Sequence, residues 1–329
     1  MLAIFTYLEN GLLDGDLTHH FQPCQCNSAE RLLCEIAVRR RLRKRIEQTC
    51  RAHLAWVEHA KVSQGCYNTH YWATGNPIAL DDEDEVQSFK MWTDTPFQIL
   101  KFADAADVFE EHKPYVQAHL NSIVRPWIRH LDKNNTRGFF TFSRTTGMPS
   151  DGYHNYRLED HVWIWSALQV VDQLGLGQQL KKQCREPMEK MRRRKSNFST
   201  IRQDRIHDSL SWDYTPSDFR RTILRKFTEQ NPVSRQPMLA VGRSLSDTRY
   251  LFRSRDTALF HDTKTVFFNR RDEVFQATID AQKYHLENED SLWDSPLRYA
   301  LALLMASKGH QINSKSTTEM FKIAKSVLF

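Results

Sequence analysis

The chain has 329 residues, 40% of them hydrophobic and 26% charged, with 11 glycines and 11 prolines. That is the composition of a globular protein with a substantial core, too poor in turn residues for a β-sandwich or barrel, so the expected class is all-α. No apolar run approaches the roughly 18 residues that would cross a bilayer, and a net charge of +6 is mild for this length.

The opening MLAIFTYLENGLLDGD lacks a basic leader and a small-residue cleavage site, so it does not read as a signal peptide. Its abrupt apolar start is that of a shortened form of something longer. Six cysteines, Cys24, Cys26, Cys34, Cys50, Cys66 and Cys184, are too scattered for a disulfide scaffold and point to a reducing, cytoplasmic setting. His19, His20, Cys24 and Cys26 lack the spacing of common zinc sites, so no metal is expected there.

A helix is expected from Asn27, which stands three before Glu30 as a capping box, with Leu33, Ala37, Leu42, Ile46, Cys50, Leu54, Val57 and Ala60 on its apolar face and Gly65 at its end. RRRLRKR, Arg39 to Arg45, lies inside it with six cations in seven positions. It reads as a solvated face. A second basic run, Lys181 to Lys195, opens a charged helix expected over 181–203, and no nucleic-acid-binding signature accompanies either run.

Acidic LDDEDE (Leu80 to Glu85) precedes a helix from Pro96, with Thr95 as its cap, and Pro114 starts another that Pro126 kinks or breaks. A turn cluster, DKNNTRG, leads into FFTF, the best candidate for an extended piece. The most apolar helix runs from Leu158 to Leu174, closed by Gly175. Further helices are expected over Pro216–Phe227 with Thr215 as cap, near Leu239 to Phe252, near Val274 to Leu286, and from Pro296. Met91 to Ala105, Ser211 to Leu224 and Leu292 to Ala306 share a Trp, an Asp, a Ser or Thr and a Pro ahead of a helix. Repeated helix starts of this kind fit helical hairpins closing into a ring, a single helical domain over residues 1–329.

Function concentrates where the apolar helix begins, at YHNYRLEDHVWIW. A helix apolar on all faces is buried on all faces, and in a ring of hairpins its end opens on the central pocket. Glu159 and Asp160, in its first turn, feel the positive end of the helix dipole, which suits an ionised base or nucleophile. Asp94, or alternatively Asp213 or Asp294, supplies a second carboxylate as acid. Trp92 and Trp163 offer apolar platforms for a sugar face, with His154 and Arg157 for its hydroxyls. Ordinary core and capping roles explain the same residues equally well: Trp163 and Trp165 as packing, the aspartates as caps, the carboxylates as ion partners of Arg157 and His161.

Tyr153-His154-Asn155 followed by Val162-Trp163 resembles the Y-H-N-G-x-V-W signature of glycogen-debranching enzymes and related six-hairpin glycosidases, and Arg255-Asp256-Thr257 resembles their R-D-T element. Here Tyr156 stands where the family has Gly, and R-D-T follows Y-H-N where the family order places it before. The resemblance implies an (α/α)6-like toroid, possibly incomplete, and glycoside hydrolysis by a carboxylate pair. It implies substrate contacts from Arg255 and Asp256, and no cofactor.

LDDEDE resembles the Asp-rich element of class I terpene synthases, which implies a cyclase that takes magnesium and a diphosphate through Asp81, Asp82, Asp84 and Glu85. The leading expectation is a glycosidase-like enzyme or a degenerate relative acting on a glycan or glycosylated small molecule. The terpenoid-type cyclase and a non-enzymatic helical scaffold are the alternatives.

Overall fold

The computed structural model describes residues 28–60, 62, 66–68, 70–78, 94–109, 113–136, 139–140, 156–176, 215–243, 248–252, 259, 267–269 and 271–288. The protein is mostly helical. Its described elements are α1 (Ser28–His59), α2 (Asp94–Val108), α3 (Lys113–Asn134), β1 (Asn135–Thr136), β2 (Phe139–Phe140), β3 (Tyr156–Arg157), α4 (Leu158–Gln173), α5 (Pro216–Phe227), β4 (Thr228–Gln230), β5 (Pro237–Leu239), β6 (Gly242–Arg243), β7 (Thr248–Arg249) and α6 (Glu273–Asn288). Among the described residues no helix is long and apolar enough to cross a membrane.

The chain divides into two compact units, Met1–Lys90 with Gln98–Pro126, and Met91–Phe97 with Trp127–Phe329. In the first, α1 buries Ile46, Leu54 and Val57 of its expected apolar face, with Ala60 buried just past its end, whereas Leu42 and Cys50 are half-buried and Ala37 is exposed. The helix ends at His59, ahead of the Gly65 expected to close it, and the chain then folds back over its end. Tyr71 bridges Pro77, the Trp56 indole donates to the Ala73 carbonyl at 2.8 Å, and the Tyr67 hydroxyl donates to the Val57 carbonyl at 3.1 Å. Gly75, at φ +81°, makes this approach possible: a Cβ there would lie 3.1 Å from the Ala60 Cα. Ile99, Phe102 and Ala105 of α2 and Val116, Leu120 and Val124 of α3 are among the other buried residues of this unit.

Two expectations change here. The helix at 94 starts at Asp94, so Thr95 and Pro96 lie in its first turn rather than at its cap. Pro126 neither ends nor divides α3, which continues to Asn134. Trp127 and Leu131, both buried just beyond the proline, hold the continuation by packing, which outweighs one lost backbone hydrogen bond.

In the second unit α4 packs on α5 and α6 packs on β5. Thr215 caps α5, its hydroxyl accepting from the Asp218 amide at 3.3 Å with Pro216 at the first helical position. Phe219, Ile223 and Phe227 then face inward at helical spacing. Gly175 follows α4 at φ +71°, as a helix terminator should.

The chain near 239–252, described over 239–243 and 248–252, is not helical there. It forms β5, β6 and β7: β4 and β5 make a hairpin around Asn231–Gln236, and β3, β6 and β7 make a three-stranded antiparallel sheet in the order β3-β6-β7. The reason lies in α6, where Thr278 and Gln282, one turn apart and buried, take up strand backbone. The Leu239 amide donates to the Thr278 hydroxyl at 2.9 Å and the Phe252 amide to the Gln282 carboxamide oxygen at 2.8 Å. Amides captured this way cannot join an α-helical ladder. Of FFTF, Phe139 and Phe140 are extended as expected, pairing as β2 with β1, and residues 141–142 lie outside the described residues.

Candidate functional site

The start of α4 is built from backbone rather than from a capping side chain. Arg157, the residue before the helix, has extended dihedrals and makes no side-chain cap. It belongs to β3, whose Tyr156 and Arg157 pair with Arg243 and Gly242 of β6, and the Leu158 amide donates to the Val241 carbonyl at 3.0 Å. One of the helix's orphan amides is thereby satisfied, and the strand fixes the direction in which α4 enters the core.

From that anchor the first turn goes straight into the interior. Glu159 is 8% exposed, Asp160 2% and His161 0%. Two carboxylates in the first turn of a buried helix sit where the macrodipole stabilises negative charge and where solvent screening is weak. His161 donates through Nδ1 to the Arg157 carbonyl at 2.6 Å, an assignment forced because a carbonyl only accepts, and its ring lies 4.9 Å from that of Phe227. Burial lowers its pKa from 6.5 to about 4, so it is neutral at pH 7 and serves as a brace for the turn.

Trp163, one turn beyond Glu159 and Asp160, is buried, and its ring centroid lies 4.7 Å from that of Phe97 at 60°. Phe97 stands one turn beyond Asp94, the half-buried first residue of α2. The contact therefore brings the first turn of α2, with Asp94, to the first turns of α4, with Glu159 and Asp160. Phe97 was not among the expected site residues. Its signal was its position, three after Asp94 and hence on the same helix face.

Trp163 is thus a packing residue at its Phe97 face. Trp165, two residues on and so on the opposite side of the helix, donates to the Pro216 carbonyl at 2.9 Å and meets Phe267 edge-on, which makes it the link between α4 and α5. Trp92, His154, Arg255 and Asp256 lie outside the described residues, as do Asp213, Asp294, LDDEDE, HHFQPCQC and the basic run over 181–195. Among the described residues no group of three or more His, Cys, Asp or Glu is placed to hold a metal.

A second polar cluster, in the other unit, escaped the sequence reading. The Tyr115 hydroxyl donates to Glu58 at 2.7 Å and His119 Nε2 lies 2.6 Å from the same carboxylate, while His119 Nδ1 donates to the Tyr115 carbonyl at 2.8 Å. Both ring nitrogens thus face acceptors, the arrangement of an imidazolium. Burial opposes that charge, but the Tyr115 carbonyl and the Glu58 carboxylate outweigh it and raise the His119 pKa. Tyr115 and His119 are one turn apart in sequence, a readable pair; Glu58 comes from α1 and nothing local announces it.

No family model matches the chain, and neither the curated proteins nor the solved structures include a detectable match to it.

Proposed function

We propose that the protein is a glycosidase-like enzyme, or a catalytically degenerate relative of one, which uses carboxylates at the start of α4 and α2 on a glycan or glycosylated small molecule within an (α/α)6-like ring of hairpins. The observation that carries the reading is the Phe97–Trp163 contact, because it joins the helix turn bearing Asp94 to the helix turns bearing Glu159 and Asp160. Paired carboxylates of unlike surroundings are what glycoside hydrolysis needs. Asp160 and Glu159 are buried, whereas Asp94 is half-buried.

In this reading one carboxylic acid donates its proton to the glycosidic oxygen as the bond to the anomeric carbon breaks. The partner carboxylate either takes a proton from the water that attacks that carbon or attacks the carbon itself, after which water releases the sugar. A separation of about 6.5 to 9.5 Å fits the first course and about 5 to 5.5 Å the second.

The test is hydrolysis of a panel of aryl and oligosaccharide glycosides by the full chain, together with thermal shifts in the same sugars. The expected result is turnover of at least one glycoside, lowered at least about a hundredfold in Asp160→Asn, Glu159→Gln or Asp94→Asn at unchanged thermal midpoint. A degenerate relative would show a sugar-dependent thermal shift without turnover. Neither turnover nor shift with any sugar overturns the proposal.

A further inference from the structure

His53 of α1 meets Gln98 and Lys101 of α2, which stand three residues apart and hence on one face of that helix. The Lys101 ammonium donates to His53 Nε2 at 3.4 Å and to the Gln98 carboxamide oxygen at 3.5 Å. An ammonium has no lone pair, so the imidazole that faces it carries its proton on Nδ1 and leaves Nε2 basic. The His53 ring stacks along the Trp56 indole, with centroids 6.0 Å apart and planes within 16°. That indole is tied in turn to the Ala73 carbonyl.

Among the described residues no carboxylate pairs with Lys101 or His53. Partial burial of the ammonium lowers the Lys101 pKa, and burial together with that ammonium lowers the pKa of His53. An ordinary lysine at pH 7 holds its reactive neutral form in only about 0.04% of molecules, a share that rises about tenfold for each unit of depression. A desolvated amine with a basic nitrogen beside it is an activated nucleophile. Lys101 is nevertheless exposed as a residue, so an electrophile from solvent reaches it. The setting also selects among electrophiles. An imine formed with an aldehyde is readily protonated and keeps the positive charge that this setting disfavours. An amide removes the charge, and its N–H still donates to the Gln98 oxygen.

We infer that Lys101 is a site of covalent acylation by activated acyl donors, thioesters or acyl phosphates, with His53 as its base. The ammonium first gives up a proton to solvent, and the amine lone pair then attacks the acyl carbon to form the C–N bond. The carbon–sulfur or carbon–oxygen bond to the donor breaks, and thiolate or phosphate leaves with the bonding electrons. The second proton passes from nitrogen to His53 Nε2 and on to solvent.

The test treats the full chain with acetyl phosphate, and separately with an acetyl thioester, and follows acetylation of each lysine by peptide mass spectrometry over a pH series. The exposed Lys44 and Lys113 serve as internal standards. Lys101 is expected to react at least about tenfold faster than both at pH 7, with its rate reaching a plateau at lower pH than theirs. In His53→Asn the Lys101 rate should fall at least about tenfold while the two standards and the thermal midpoint stay unchanged. Reaction with only one of the two donors supports the inference and identifies the leaving group. Rates at Lys101 no higher than at the standards, or a Lys101 rate indifferent to His53→Asn, would overturn it. So would selective trapping of acetaldehyde on Lys101 by cyanoborohydride without preferential acetylation, in favour of an imine site.

Discussion

Every residue of α4 from Leu158 to Leu168 is buried, while no residue of α1 from Ile36 to Arg45 is. Both stretches are helical, but they are helical for different reasons. In α4 the helix is held from outside, by β3 and Val241 at its start, by Trp165 against Pro216 and Phe267, and by packing on α5. In this arm of α1, residues 36–45, the packing term is small, and what remains is the intrinsic preference of Arg, Lys, Leu and Ala for the helix, continued from a well-packed C-terminal half. The contrast extends to chemistry: carboxylates at the head of α4 are withdrawn from water, whereas Arg40, Arg41, Lys44 and Arg45 of the arm are exposed to it.

The largest effect should come from removing what holds α4. Trp165→Ala deletes both the Pro216 hydrogen bond and the Phe267 contact, and urea unfolding should show a loss of about 3 to 5 kcal/mol. A loss below about 1 kcal/mol would mean that α4 does not depend on its surroundings.

Next comes acid. His161 has a folded-state pKa of about 4 against 6.5 for a free histidine, so between those values the unfolded chain binds the extra proton and stability falls as pH falls. Unfolding free energies measured from pH 7 down to 4 should include a contribution of about 3 kcal/mol that His161→Gln removes. An unchanged slope in that variant would contradict a buried neutral ring.

A smaller loss, about 1 to 3 kcal/mol by the same unfolding assay, is expected for Thr278→Val, which keeps the shape but strands the buried Leu239 amide. The smallest global effect belongs to the arm. Ala37→Gly should cost about 1 kcal/mol of local helix stability, read as faster hydrogen exchange of the amides from 36 to 45, with the global unfolding midpoint unchanged. A drop in that midpoint would show the arm to be packed after all.

How far each element could be read from sequence follows the same division. α5 was legible because Thr215, Pro216 and the Phe219, Ile223, Phe227 spacing are local signals that agree with one another. α4 was legible from the apolar run that follows its polar head and from Gly175, and the solvated face of α1 from its charge. The strands β5 to β7 were not, because two or three residues carry no periodicity and their state is set by Thr278 and Gln282 from some 30 to 40 residues away.

At the site, the carboxylates and Trp163 stood out by residue type. Sequence did not show that Glu159, Asp160 and His161 are all buried, that the helix start is anchored by β3 in place of a side-chain cap, or that Phe97 is what meets Trp163. Each of these depends on a partner from another element. The family-like R-D-T and Y-H-N triplets fall on residues 255–257 and 153–155, outside the described residues.

The central claim, that the head of α4 is a carboxylate site for sugars, is tested most directly by covalent labelling with an epoxyalkyl glycoside and mass mapping of the modified peptide. Such reagents form an ester with a carboxylate that the sugar holds within reach. The account predicts a single sugar adduct on the peptide carrying Glu159 and Asp160, or on that carrying Asp94, and its suppression by free sugar. Labelling confined to other peptides, or labelling that free sugar does not suppress, would contradict it.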